Sequence, residues 1–257
     1  MKAKWSLLGM FSLMIFLFSS CQKDQSESNL NQGNTRLKQI LLFPKIESKE
    51  PISIVEEYEY DEKGRISRTS SPMYQDGTIV GTIKYNIYEY NSSEQLVKII
   101  NFNANLNSPT GFINLKNYIY SYSADGKKVK ESIENQNGIL FEYSVYEYKD
   151  DQLVKIKKYS HNELESYIEN QYDRSGKLIK ESFYASDGNC ISYTIHTYSG
   201  LLQVKSDLYI YQSDTHYRSI RRTYDNNNNL ITLESNELSL YSSMMSFVFR
   251  YEYFEEI

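Results

Sequence analysis

From Leu37 onward, apolar and polar positions alternate by two rather than recurring every three to four residues, and Tyr, Phe, Ile and Val dominate the apolar set. That period predicts β-strands, not helices. One phrase punctuates the alternation, and its cleanest copy is Tyr172-Asp173-Arg174-Ser175-Gly176-Lys177-Leu178-Ile179-Lys180. Tyrosines at alternate positions end one strand, an Asp/Asn/Ser/Gly cluster turns the chain, and an aliphatic residue followed by Lys or Arg opens the next. A second full copy runs from Tyr60 to Arg68, and others begin at Tyr90, Tyr122, Tyr148 and Tyr224, with weaker ones at Tyr198 and Tyr253.

The phrases recur every 24 to 32 residues, room for two strands of about ten residues and two turns. The second turn of each unit is visible at Gln75-Asp76-Gly77, Ser108 to Gly111, Asn135 to Gly138, His161-Asn162, Ser186 to Gly188 and Ser213-Asp214. Each unit is therefore a hairpin, and joined hairpins form an antiparallel meander. The expected fold is all-β, with about sixteen strands, opening at Leu37–Phe43 and Ile52–Tyr60. Tyr118-Ile119-Tyr120-Ser121-Tyr122 and Phe247 to Tyr253 carry an aromatic column on one face, while Leu96–Ile100 and Leu178–Phe183 are apolar on both. One long sheet of this kind must curl, into a barrel-like or a flattened sandwich form.

Residues 1–20 stand apart. Lys2 and Lys4 precede an apolar run from Leu7 to Phe18, then Ser19, Ser20 and Cys21. The run is shorter than the roughly 20 residues of a membrane-spanning helix and reads as a cleaved leader. Small residues before a cysteine resemble the lipobox of bacterial lipoproteins, with Phe18 in place of the usual Leu. That resemblance implies cleavage before Cys21, acylation of Cys21 and anchorage to a membrane; the alternative is an ordinary secretory leader. Gln22-Lys23-Asp24-Gln25-Ser26-Glu27 resembles the acidic export tag of Bacteroidota surface lipoproteins, implying an outer-membrane and surface location. Residues 21–36, rich in Gln, Ser, Asn and Asp, read as a tether, and 37–257 as the repeat domain.

The phrases themselves resemble the YD repeats of RHS-type proteins, and the layout over residues 37–257 is similar to YD-repeat lipoproteins of Bacteroidota. Glu94 replaces the motif's Gly, Asp225 to Asn229 lacks it, and the copies after Tyr148 and Tyr198 are shortened. RHS repeats build shells around a toxin; with too few repeats for a large shell, that role is not expected here.

Composition narrows the function classes. The chain carries 28 basic and 33 acidic side chains, and loss of Lys2 and Lys4 makes it more acidic. With no basic block, nucleic acid is an unsuitable partner. Once Cys21 is acylated only Cys190 remains, which excludes an intramolecular disulfide and reads as a buried small residue. His161, His196 and His216 lack metal-ligand spacing and read as solvated turn or strand residues. Asp225 and its asparagines suit a turn better than a calcium loop, and Asp150-Asp151 and Glu255-Glu256 fall at a turn and a terminus rather than in a glycosidase pair. No phosphate loop, nucleophile elbow or cofactor motif is present. The 25 tyrosines are either core residues fixing register or a recognition surface; their periodicity favours the core. The expectation is a non-catalytic, lipid-anchored module for binding or adhesion, with a protein or glycan ligand. The alternatives are a structural envelope component docking another protein and a hydrolase assembled from distant carboxylates.

Overall fold

The computed structural model describes residues 36–43, 48–49, 51–75, 78–238 and 244–254. The leader, Cys21, the tether, Asp76-Gly77 and Glu255-Glu256 lie outside the described residues. Sixteen strands follow one another: β1 (Leu37–Phe43), β2 (Ser53–Tyr60), β3 (Ile66–Gln75), β4 (Thr78–Tyr90), β5 (Leu96–Ala104) and β6 (Phe112–Tyr122). Next come β7 (Lys128–Glu134), β8 (Leu140–Lys149), β9 (Gln152–Ser160), β10 (Glu163–Tyr172) and β11 (Leu178–Ala185). The last are β12 (Cys190–Ser199), β13 (Leu202–Ile210), β14 (Thr215–Tyr224), β15 (Leu230–Leu238) and β16 (Met244–Tyr253). Each pairs antiparallel with its neighbours in sequence, and β1 pairs with β16, so the meander closes into a barrel. Of the two curled forms open to the sequence, the barrel is the one adopted.

The phrase works as a hairpin corner with its own hydrogen bonds. Asp173 Oδ1 accepts from the backbone N–H of Ser175 (2.8 Å) and of Lys177 (3.0 Å). Asp61, Asn91 and Asp225 repeat the pattern on the second and fourth residues beyond them. Holding the loop this way turns the third residue after the Asp or Asn to positive φ, which glycine adopts without strain. Gly64 and Gly176 take it at +80° and +84°, whereas Glu94 and Asn228 take it at 63° and 66° despite carrying side chains. The Glu94 side chain pairs with Lys63 of the neighbouring corner (2.9 Å). The shortened copies after Tyr148 and Tyr198 turn more tightly, with Asp150, Asp151 and Gly200 at positive φ.

The tyrosine that opens each phrase ties one unit to the one before. Tyr60, Tyr90, Tyr122 and Tyr148 donate their hydroxyls to the carbonyls of Leu37, Ile66, Leu96 and Lys128. Tyr172, Tyr198, Tyr224 and Tyr253 do the same to Leu153, Leu178, Gln203 and Leu230. All eight bonds are 2.7–3.0 Å long. In every case the acceptor lies at or next to the start of the odd-numbered strand preceding the tyrosine's own. Eight latches thus run around one rim. The seam is closed at that rim by the Phe254 N–H donating to the Arg36 carbonyl (2.8 Å).

The latch tyrosines share a face with residues two positions earlier: Tyr58, Tyr88, Tyr120, Tyr146, His196 and Tyr251. This is the inner face, where Tyr251 and His196 are buried and Tyr58, Tyr88 and Tyr120 partly so. A small apolar cluster of Leu41, Phe43 and Val248, with Ile54 against it, sits on the opposite face of β1, β2 and β16.

Removing one latch should cost the net worth of one hydrogen bond. Tyr172→Phe is expected to lower unfolding free energy in urea by about 1 kcal/mol. Gly176→Ala would place its Cβ in ordinary van der Waals contact with Gln152 Nε2 at 3.6 Å, so its cost, about 1 kcal/mol, is that of positive φ alone. Unchanged denaturation midpoints in both variants would show that neither the latch nor the corner holds the wall together.

Candidate functional site

Among the described residues, two regions bear groups able to do chemistry or recognise a ligand. The first is on the outer face. Tyr85, Tyr143, Tyr167 and Tyr193 each stand five residues before a latch tyrosine, and so on the opposite face. Each is capped by a cation from the preceding odd strand: Arg68 at 4.5 Å, Lys130 at 4.6 Å, Lys155 at 4.2 Å and Lys180 at 4.4 Å from the ring centre. Each also stacks on the ring directly opposite across the hairpin. The pairs are Tyr85–Phe102, Tyr143–Tyr159 and Tyr167–Tyr184, all at 4.7 Å between ring centres, and Tyr193–Tyr209 at 5.0 Å. Interplanar angles of 9–15° make these near-parallel stacks.

Three of these cation–tyrosine–aromatic stacks stand side by side across β7 to β13. Equivalent stacks are two strands apart, a spacing of about 9–10 Å. The stacked rings are half-buried, with Tyr211 exposed at the end of the row and edge-on to Tyr193. Both faces of each central ring are covered, so the row offers ring edges and ammonium groups outward rather than open aromatic faces. Between the stacks run ion pairs on the same outer face: Lys157–Glu147 (2.6 Å), Lys155–Glu169 (2.9 Å) and Lys205–Asp207 (2.8 Å).

The second region is inside. His196 on β12 is 6% exposed, and its Nε2 lies 2.7 Å from Glu181 Oε2 on β11. Its Nδ1 lies 3.1 Å from Ser206 Oγ on β13, and that oxygen accepts from Arg222 Nη1 at 2.9 Å. With the imidazole neutral, Nε2–H donating to Glu181 and the Ser206 hydroxyl donating to Nδ1 while accepting from Arg222 satisfies every group in the chain. Thr194, Leu208, Arg218 and Ile220 complete the wall of a cavity of about 20 Å³. A serine, an imidazole and a carboxylate in hydrogen-bonded sequence resemble a nucleophile with its base. However, the serine is 5% exposed, and the space beside it suits a water molecule, not a substrate.

These two regions correct and extend the sequence reading. His196 is not a solvated strand residue: Glu181, Ser206 and Arg222 on three neighbouring strands supply the polar partners that let it be buried. His161 does sit in a tight turn, at φ 51°, and His216 packs on the outer face against Asp207 and Ser219. Asp150-Asp151 and Asp225 are turn residues, as expected. Cys190 is half-buried, and burial pushes its thiol pKa up. The tyrosine dichotomy was too simple, since the periodic tyrosines occupy both faces. The recurring Tyr five residues before the phrase was the available signal for the outer row.

No family model matches the chain, and no curated protein matches it. Solved structures similar to it include a porin-like protein from Bacteroides vulgatus, 13% identical, covering 86% of this chain and 99% of that one with a TM-score of 0.38. A porin-like protein from Bacteroides uniformis is 10% identical over 85% and 98% of the two chains, with a TM-score of 0.37. A TcdB2-TccC3 structure is 12% identical over 83% of this chain, with a TM-score of 0.32; the chain spans 15% of its length. At such scores the likeness bears on neither function nor location.

The inner tyrosines set an alkaline limit. Burial pushes the Tyr88 and Tyr251 phenols from 10.0 up to about 12, and burial beside Glu56 and Glu131 raises Tyr58 and Tyr120 further. A phenol whose folded pKa is raised favours the fold fully below pH 10 and loses that contribution as pH rises through the raised value. Ultraviolet titration should therefore show a class of tyrosines ionising well above pH 10, together with loss of β-sheet circular dichroism. Ionisation of all tyrosines in one reversible step near 10, with the sheet intact, would contradict the burial.

Proposed function

We propose that this chain is a non-catalytic binding module of the bacterial envelope, held to the outer membrane by acylated Cys21 and recognising an acidic glycan through the outer row of β7 to β13. The observation that carries the reading is the repetition of Lys130, Lys155 and Lys180 against Tyr143, Tyr167 and Tyr193 at two-strand intervals. A polymer with repeating carboxylates and hydroxyls can meet such a row at several points at once, so weak single contacts add up. Exposed cation–π pairs are each worth only about 0.5–1 kcal/mol, which leaves the ammonium groups of Lys130 and Lys180 able to engage a ligand, while that of Lys155 is shared with Glu169 (2.9 Å).

Two further features support it. A lipid-facing barrel wall is an apolar band, and a Lys at the bilayer midplane costs about 2–4 kcal/mol. The outer face here carries Lys130, Lys155, Lys157, Lys180 and Lys205, so a wall in water fits it better and attachment falls to the lipid on Cys21. The buried Ser206–His196–Glu181 chain has no room for a substrate, in keeping with a non-catalytic role.

The test has two arms. Cys21→Ala should move the chain from the membrane to the soluble fraction; retention in the membrane would overturn the anchor. The combined Lys130→Ala, Lys155→Ala and Lys180→Ala variant should bind acidic polysaccharides at least tenfold more weakly, about 1.4 kcal/mol, while remaining folded at a urea midpoint lowered only by the loss of three cation–π pairs of about 0.5–1 kcal/mol each. Equal binding by both forms, or no binding of acidic polysaccharides by the unaltered chain, would overturn the ligand class.

A further inference from the structure

The outer row has a fourth position, and it is built differently from the other three. The cations of the row fall at equal intervals along the sequence, at Lys130, Lys155, Lys180 and then Lys205 on β13. The first three cap Tyr143, Tyr167 and Tyr193. Five residues before the latch Tyr224, where a fourth tyrosine would stand, the chain has Ser219. Lys205 therefore has no ring to cap, and it pairs with Asp207, two residues further along its own strand (2.8 Å). At the corresponding place the other three units have Ser132, Lys157 and Ser182, so a carboxylate stands there in the fourth unit alone.

An imidazole completes the cluster. His216 Nε2 lies 3.0 Å from Ser219 Oγ and 3.3 Å from Asp207 Oδ1, and Ser219 donates its hydroxyl to that same Oδ1. Nε2 is thereby the protonated nitrogen of the neutral ring, and a second proton goes to Nδ1. The ring also stands edge-on to Tyr209, at 5.4 Å and 60°, on the third stack of the row. The His216 side chain is 39% exposed, within reach of a ligand lying along that row. Although burial pushes it up, hydrogen bonds from Lys205 and Ser219 hold the Asp207 carboxyl below its usual range, so it stays ionised while the imidazole titrates.

Among the described residues, the other charged groups around the cluster are Arg221 opposite Lys205, Glu234 opposite Arg221, and Asp214, which accepts the Tyr193 hydroxyl. Asn236, opposite Ser219, is neutral. Tyr193, Tyr209 and Tyr211 are phenols, a class that ionises at about pH 10. With the imidazole neutral, the cations Lys205 and Arg221 are outnumbered by the carboxylates Asp207, Asp214 and Glu234. With it protonated, the two signs are equal.

We propose that His216 makes the row proton-dependent: once protonated it neutralises Asp207 and frees Lys205 to serve as a fourth cation, so an acidic glycan is held more tightly at acid pH. Imidazole is the side chain whose charge ordinarily changes between pH 5 and 8. At pH 8 the row ends in excess negative charge and repels the end of a polyanion; at pH 5 that repulsion is gone and the ligand gains one more point of contact. By reciprocity, a polyanion bound across the fourth position draws a proton onto the ring. The inference rests on the glycan reading and adds regulation to it.

Titration calorimetry of the full chain in mild detergent with dextran sulfate, whose charge is constant over this range, tests it. Affinity is expected to rise about fivefold from pH 8 to pH 5, with proton uptake read from the dependence of the heat on the buffer's ionisation enthalpy. His216→Gln should lose both the rise and the uptake, while His161→Gln, in the β9–β10 turn, should keep them. Asp207→Asn should bind at pH 8 about as tightly as the unaltered chain does at pH 5. Circular dichroism should be alike for all four forms. An affinity of the unaltered chain that does not change with pH, a rise that survives His216→Gln, or an Asp207→Asn chain no tighter at pH 8 would overturn the proton dependence and leave the glycan reading standing. Absence of binding at both pH values would overturn the two together.

Discussion

A phenol hydroxyl bonded to a backbone carbonyl of the preceding unit is the contact on which this barrel depends. Each hairpin could form without it, but nothing in a hairpin fixes the angle at which it meets the next. The latch does, because a rigid ring spans the distance from one corner to the start of the strand before it. Repeated eight times, it sets one rim of the wall. Individual bonds are worth about 1 kcal/mol; their importance is geometric, since every unit is aligned on its predecessor by the same rule.

Much of this was legible beforehand because the rule is local. The alternation from Leu37, the Tyr-Asp corners and the Gly two to four residues on gave strand number, order and turn positions. Departures such as Glu94 for Gly looked like decay of the motif, yet Glu94 and Asn228 adopt the same positive φ as Gly64 and Gly176. The corner is defined by the Oδ1 of the Asp or Asn as much as by the glycine. Less legible was anything that depends on a partner in another unit. His196 stands in the position that Tyr58, Tyr88 and Tyr120 fill elsewhere, but its burial rests on Glu181, Ser206 and Arg222, whose approach is a matter of register. The outer stacks likewise need a cation, a Tyr and an aromatic on three strands, and they are missing where Val55, Asn117, Ser219 or Val248 replaces the Tyr.

The two faces of the wall use tyrosine differently. Inside, desolvation keeps the phenols protonated and their hydroxyls committed to the backbone or to carboxylates such as Glu56. Outside, the rings are pinned between cations and other rings while their edges remain toward water. One residue type thereby supplies cohesion on one side and a patterned polar surface on the other. The Lys–Glu pairs of the outer face add charge to that patterned surface.

Closure adds a temporal consequence. Every strand but the first and the last finds both its partners within a few dozen residues, so hairpins can assemble in the order in which the chain appears. The exception is the seam, where Leu42 meets Phe249 across two hundred positions of sequence. While the chain is being completed, fifteen strands can be in place while β1 still lacks its second partner, its edge open and its apolar side chains waiting. Such a half-finished sheet is the species most open to pairing with another chain, and the arrival of β16 is the event that ends its vulnerability.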